Sequence, residues 1–410
     1  MSSGFFADFK GVLCDDAQKI IKKLKAGGFD CYFVGGCVRD ALLGRKTYDY
    51  DLATDASPEQ IKSVFKDFSL DLKGEKFGSV GIILNGKEYE TTSFRSEGCY
   101  GDFRRPSSVG FSAGLYVDAF RRDFKCNALY YNEESGIIDP TGGLNDIKNK
   151  IVCAVGNPED RFNEDALRVL RALRFCSSLG FSLEEKTAAA LEKYTENVKH
   201  ISKERVFNEL KRILTGDYAC KTLKKYAFVL CCVLPDLKNV YLNNGDGLFA
   251  PLAFSKNDFC LRFALLYKDL SFGSAENALE GLKADKNTKN EVYEILKNRN
   301  ADFSTDFCLK STLNKCGEKT AENILNFKIC SAIDKTERDY YRGRLSAFKK
   351  IINEKQIYSI KELKINGADL AFMGITGRKT GEVLNELLNK VMRGELKNEK
   401  NALISAAKSL

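Results

Sequence analysis

Residues 31–54 read Cys-Tyr-Phe-Val-Gly-Gly-Cys-Val-Arg-Asp-Ala-Leu-Leu-Gly-Arg-Lys-Thr-Tyr-Asp-Tyr-Asp-Leu-Ala-Thr. This order of residue types predicts a strand, a glycine turn, a helix, a loop and a second strand. The apolar run 31–34 suits a short buried strand, which Gly35-Gly36 ends. The glycines let backbone N–H groups approach an anion at the start of a helix over Val38–Leu43. Arg39 adds a fixed positive charge there. On the second strand, alternation puts Asp49 and Asp51 on one face and Tyr50 on the other. Alone, a Gly-Gly turn says little and a DxD pair is an ordinary solvated strand edge. Together and in this order they suit a nucleoside triphosphate with Mg²⁺, which takes a few carboxylates plus phosphate oxygens. They point to nucleotidyl transfer.

Outward from this stretch, residues 11–30 read as an amphipathic helix (Val12, Ala17, Ile20, Ile21, Leu24) ending near Gly27-Gly28. Val80–Leu84 and Glu88–Phe94 read as strands joined by an Asn85-Gly86 hairpin turn. Strands and helices mix from about 31 to 150; after about 155 helical periodicity dominates. The expected fold is an α/β head, a mixed sheet with helices, followed by an elongated all-α remainder.

With 410 residues the chain can bury several cores. No apolar run approaches the ~20 residues of a membrane span, and the N-terminus does not read as a signal peptide. The cytoplasm is therefore the expected location. Fourteen cysteines are scattered without paired CxxC sets, and the single histidine, His200, cannot complete a Cys/His zinc cluster. Reduced core thiols are expected. A net charge of +8 permits a polyanionic partner without requiring one.

The pattern GGxVRDxLLGR followed by DxD and AT resembles the head signature of class II tRNA nucleotidyltransferases and bacterial poly(A) polymerases, within the DNA polymerase β superfamily. It is matched at Gly35, Gly36, Val38, Arg39, Asp40, Leu42, Leu43, Gly44, Arg45, Asp49, Asp51, Ala53 and Thr54. A third carboxylate would complete a two-metal site. Alternation puts Glu88 and Glu90 on one face, so spacing does not choose between them; the resemblance of residues 88–95 to the family's EVTTFR strand favours Glu90. The glycine- and charge-rich stretch 94–106, with Arg104-Arg105-Pro106, resembles a family loop that switches the pocket from CTP to ATP. Asp118–Ala128 resembles DxxRRDFTxNA, which implies that Arg122 binds the triphosphate while Asp123 and Asn127 arrange ribose and strand; Lys125 replaces the usual Thr.

Glu164–Phe175 reads as one helix with Asp165 and Arg168 on neighbouring positions of one face. An intrahelical ion pair is the plain expectation. A carboxylate only accepts and a guanidinium only donates. Together they complement the base-pairing edges of cytosine and adenine, while guanine and uracil turn a carbonyl oxygen toward the carboxylate. Opposed polar groups discriminate strongly. The family's EDxxR motif carries this role. Arg171 and Arg174 resemble further nucleotide-contacting arginines, and Glu204 and Arg205 in residues 202–214 would brace the reading helix. Near the C-terminus, Asn366–Leu370, Gly377 and Gly381 resemble the family's tail.

The resemblance implies a head over 1–150, a base-reading neck over 151–215, a helical body over 216–300 and an RNA-binding tail over 301–410. It implies template-independent addition of C, C and A to tRNA from CTP and ATP, with Mg²⁺ on Asp49 and Asp51. An A-only-adding enzyme, a poly(A) polymerase and an inactive tRNA-binding protein are the alternatives. No membrane or protein partner is expected.

Overall fold

The computed structural model describes residues 14–47, 49–97, 109–111 and 114–410. The chain divides into two compact units, Met1–Val233 and Leu234–Leu410.

Helix α1 (Asp15–Ala26) buries Ala17, Ile20, Ile21 and Leu24, the spacing that makes one apolar stripe. Asp15 and Asp16 sit in its first turn and Lys23 and Lys25 in its last, matching the helix dipole. Strand β1 (Cys31–Val34) is buried at all four positions, which suits a central strand covered on both faces. Helix α2 (Gly36–Leu42) starts two residues before the expected Val38, directly at the glycine pair.

Strand β2 covers only Leu52–Thr54. Asp49 and Asp51 therefore lie in the segment leading into it rather than within the strand. The alternation nonetheless holds, with Tyr50 buried and both acids exposed. Helix α3 (Pro58–Val64) opens with a Ser57/Gln60 capping box. Strands β3 (Ser69–Asp71), β4 (Ser79–Leu84) and β5 (Lys87–Ser93) follow. Asn85 and Gly86, with φ of 53° and 75°, supply the two left-handed positions of a tight β4–β5 hairpin.

A two-stranded ribbon pairs β6 (Arg95–Glu97) with β7 (Val109–Phe111). The expected switching loop, including Arg104 and Arg105, lies mostly outside the described residues. After α4 (Leu115–Phe120), strands β8 (Tyr130–Asn132) and β9 (Gly136–Ile138) complete a seven-stranded sheet of order β3-β4-β5-β2-β1-β8-β9. Its β2–β5 pair is parallel and the others antiparallel.

Beyond the sheet come α5 (Gly143–Asn149), β10 (Ile151–Val152), α6 (Pro158–Glu164), α7 (Leu167–Leu179), β11 (Ser182–Leu183), α8 (Glu185–Tyr194) and α9 (Lys203–Leu214). Helix α7 is buried around most of its circumference, Arg168 and Arg174 included, and packs on α9. The second unit contains helices and no strand among its described residues. Its helix Phe259–Leu266 is buried at every position between helices 286–297 and 318–331. A separate cluster around Leu370, Leu387, Leu388 and Leu403 holds the C-terminal helices.

Cys31, Cys37, Cys126, Cys176, Cys260 and Cys330 are buried free thiols, as the scattered pattern implied. No described helix is long and apolar enough to cross a membrane.

Candidate active site

The glycine turn lies between two guanidinium groups. Gly35 adopts φ 74° and ψ −123°, a conformation strained for any side chain. A Cβ there would stand 3.6 Å from Nη1 of Arg122, and one on Gly36 would stand 3.6 Å from Nη2 of Arg39. The turn is thus a bare backbone surface flanked by positive charge. The Val34 N–H donates to the Asp51 carbonyl at 3.0 Å, which ties the acidic segment to the same turn.

The β2–β5 register pairs Leu52 with Thr91, so Asp51 comes alongside Glu90. Although the residue as a whole meets solvent, neighbouring atoms remove part of the water around the Asp51 carboxyl and raise it to about 6, and the charges of Asp49 and Glu90 push the same way. Glu88 lies elsewhere: a Cβ on Gly81 would collide with its Oε1, and its charge acts on Lys73. The structure brings together Asp49, Asp51 and Glu90, and leaves Glu88 outside that group.

Arg122 is fixed by a buried acid. Its Nη2 and Nε donate to Oδ2 of Asp118 at 3.0 and 3.2 Å, and its Nε also donates to the Tyr130 hydroxyl at 3.0 Å. Tyr130 donates to the same Asp118 oxygen at 2.7 Å, while Arg121 takes Oδ1 at 2.6 and 2.9 Å. Burial alone would raise Asp118, but Arg122 and Arg121 outweigh it and hold the carboxyl down at about 2. Arg122 therefore faces the glycine turn with its orientation set from behind.

Asp123 does not point at open space. It accepts from Nε and Nη2 of Arg171 at 2.6 and 2.5 Å and from the Phe124 N–H at 2.8 Å. Burial opposes its charge, but Arg171 and then Arg168 depress it to about 2. Asn127 is buried and accepts from Arg39. The Phe175 ring lies beneath three guanidiniums, with the carbons of Arg39, Arg171 and Arg174 at 5.2, 5.7 and 4.4 Å from its centroid.

The single helix expected over Glu164–Phe175 is broken. Asp165 is extended (φ −141°, ψ 104°) between α6 and α7 and is not a helical residue. Its carboxylate accepts from the Leu167 N–H at 3.0 Å, the way Asp caps a following helix. Helical periodicity concealed this break because the apolar pattern runs through it.

The expected Asp165–Arg168 ion pair does not form. Asp165 is held by Arg205 of α9, at 2.7 Å (Nη2–Oδ2) and 3.4 Å (Nη1–Oδ1). Arg168 donates to Glu164 at 2.5 Å and to the carbonyls of Arg161 and Arg121 at 3.0 and 3.2 Å. Arg174 pairs with Glu209 at 3.0 Å. The acceptor and the donor are thus kept apart by separate partners, so neither neutralises the other.

Sequence reasoning assigned no role to Asp118, Tyr130, Glu209 or Phe175. Asp118 was visible inside its motif, but its burial between two arginines depends on β8, which local pattern does not reveal.

Residues 31–153 match the family described as Poly A polymerase head domain, 180–227 match “Probable RNA and SrmB-binding site of polymerase A”, and 260–407 match tRNA nucleotidyltransferase domain 2. A CCA-adding enzyme of Enterococcus faecalis is 34% identical over 403 residues, 96% of this chain and 95% of that protein. The chain belongs to the CCA-adding enzyme family. One from Geobacillus kaustophilus is 34% identical over 397 residues, with 95% of each chain covered. The solved CCA-adding enzyme of Bacillus stearothermophilus, in complex with CTP, superposes with a TM-score of 0.72 at 30% identity, covering 96% of both chains. The chain is a tRNA nucleotidyltransferase, and this family implies dependence on a divalent metal.

Asp49, Asp51 and Glu90 fit such an ion. The charges of Asp49 and Glu90 add to burial in raising the Asp51 carboxyl, and a hard cation that prefers oxygen would relieve that repulsion. A second carboxylate set fits less well. Ligand atoms of Asp258, Cys260 and Glu291 lie within 4.8 Å of one another. The Asn323 amide already bridges both carboxylates at 3.3 and 2.8 Å, and Lys319 neutralises Glu291 at 2.6 Å. Burial pushes the Cys260 thiol up to about 12, which keeps it protonated.

Proposed function

We propose that this chain adds C, C and A in turn to the 3′ end of tRNA, from CTP and ATP and without a template. The observation that carries this reading is that the acceptor-only Asp165 and the donor-only Arg168, three positions apart at the start of α7, are each held by a different partner rather than by one another. A cytosine or adenine edge satisfies both groups; a guanine or uracil edge sets oxygen against oxygen. The relatives' shared name and the CTP-bound relative support it.

In this reading Gly35, Gly36, Arg39 and Arg122 seat the triphosphate, and Asp123 and Asn127 keep Arg171 and Arg39 oriented toward it. Arg171 and Arg174 add positive charge around the nucleotide. Asp49 and Asp51 hold Mg²⁺, with Glu90 as the third carboxylate. A divalent ion held by these carboxylates would supply positive charge at the reacting oxygens and the leaving group. The RNA 3′-hydroxyl gives up its proton to solvent as its oxygen bonds to the α-phosphorus, the bond from that phosphorus to the α–β bridging oxygen breaks, and pyrophosphate departs. Residues 1–150 act as catalytic head, 151–215 as base-reading neck, 216–300 as helical body and 301–410 as tRNA-binding tail. The cytoplasm is the proposed location.

The test is single-nucleotide extension of tRNA transcripts ending before CCA, after C and after CC, with each NTP and Mg²⁺. C on the first two and A on the third is expected. A on the third alone indicates an A-adding enzyme, and long A tails on unrelated RNA indicate a poly(A) polymerase.

A further inference from the structure

Arg39, Arg171 and Arg174 converge on one ring. Phe175 is buried, and the three guanidinium carbons lie 5.2, 5.7 and 4.4 Å from its centroid. Helical spacing brings two of them, since Arg171 stands one turn before Phe175 on α7 and Arg174 is its neighbour. It does not bring Arg39, which comes from α2 of the head. The ring also meets Phe124 in a T-shaped contact, at 5.6 Å and 78°, so a second aromatic side chain sets its plane.

Three like charges in one place repel. The cost shows at Arg174, where burial first and then the charge of Arg171 pull the guanidinium down to about 10. Each of the three already has an acid. Arg39 donates to Asp40 from Nε and Nη2 at 3.0 and 2.9 Å, Arg171 is held by Asp123, and Arg174 by Glu209. A further carboxylate beneath them would turn the cluster negative and repel a triphosphate. An aromatic face attracts cations through its quadrupole while carrying no net charge. It holds the guanidiniums together without cancelling any of their field.

We propose that Phe175 is a positioning residue for nucleotidyl transfer: the electron-rich face of its ring holds Arg39, Arg171 and Arg174 in the arrangement that receives the triphosphate. The inference rests on the nucleotide-binding roles given to those arginines above. Packing alone is the competing role for a buried phenylalanine. Packing follows the shape of the ring, whereas attraction of cations follows its charge distribution, and fluorine alters the second far more than the first.

The test replaces Phe175 in the full chain by mono-, di- and trifluorophenylalanine, with Phe175→Leu beside them. Binding of CTP and of pyrophosphate is measured directly without tRNA. KM for CTP, KM for tRNA and kcat are then taken from the extension assay, with chemical denaturation as the control for folding. Each added fluorine is expected to weaken CTP and pyrophosphate binding, reaching about three- to tenfold with three fluorines. CTP KM rises in step, while tRNA KM and kcat move less than about twofold. Phe175→Leu loses at least as much CTP affinity as the trifluoro ring. A flat fluorine series, with only Phe175→Leu impaired, means packing alone and overturns the proposal. A series in which tRNA KM and kcat worsen as much as CTP binding overturns it too, because the ring then shapes the whole site. An unmutated chain that binds CTP yet adds nothing to tRNA refutes the function reading instead, and the binding series still decides the role of the ring.

Discussion

The Arg205 guanidinium grips both oxygens of Asp165, at 2.7 and 3.4 Å, across forty positions of sequence. Asp165 sits at the break between α6 and α7, so no helix holds its side chain. Arg205 does. Arg205→Ala is expected to leave the carboxylate free to rotate, lowering kcat/KM for CTP and ATP roughly 10- to 100-fold, the value of one charged hydrogen bond. Incorporation of U relative to C rises in the same assay. Arg205→Lys restores charge without the paired donors and recovers only part of the discrimination.

Glu164→Gln weakens the hold on Arg168 while the Arg161 and Arg121 carbonyls still accept from it. The expected effect on C-over-U selection is smaller, about threefold to tenfold. Combining Glu164→Gln with Arg205→Ala gives less than the summed loss if both act on one base edge. A double-mutant cycle on kcat/KM measures this.

Asp51→Asn trades activity for stability. It removes a proposed metal ligand, and extension should fall by at least about 10³-fold. The folded Asp51 carboxyl is raised to about 6, so its charged form disfavours the fold, and this penalty develops as pH rises from about 4 through 6. In EDTA at pH 8 the variant should melt about 2 °C higher, a small shift because the group meets solvent. Below pH 4 the difference disappears. Added Mg²⁺ narrows the gap at pH 8 by stabilising only the unmutated chain.

Asp118→Asn strips countercharge from two arginines at a site 1% exposed. The loss expected is about 3 kcal/mol in chemical denaturation at pH 7, the range for breaking a buried ion pair. The native carboxyl is depressed to about 2, so its contribution is complete above about pH 4 and disappears as pH falls through 2. The variant and the unmutated chain should converge in stability across that window. Triphosphate KM rises as well, because Arg122 loses the acid that aims it.

The local signals that proved readable share one property: their chemistry is contained in neighbouring residues. The α1 stripe, the Asn85-Gly86 hairpin and the Gly35-Gly36 turn all depend on spacing or on a permitted φ. Alternation placed Tyr50 inward and the two acids outward although β2 is too short to include them. Spacing did not choose between Glu88 and Glu90; the family resemblance favoured Glu90, and the β2–β5 register, a long-range pairing, is what sets it alongside Asp51. The kink at Asp165 was hidden because Leu167, Leu170 and Phe175 continue the helical rhythm across it. The partners of Asp165 and Asp118, Arg205 and Tyr130, are distant or on another element, and ion pairing leaves no period to detect.

Arg168 is held by Glu164 and by main-chain oxygens of Arg161 and Arg121, while Asp165 is held by Arg205. On the proposed reading, the choice of letter is therefore distributed over the end of α4, the α6–α7 junction and α9. Anyone wishing to graft altered letter preference from one family member to another would have to transplant those segments as one block. Exchanging the short reading motif alone would bring the alphabet without the grip that makes it legible.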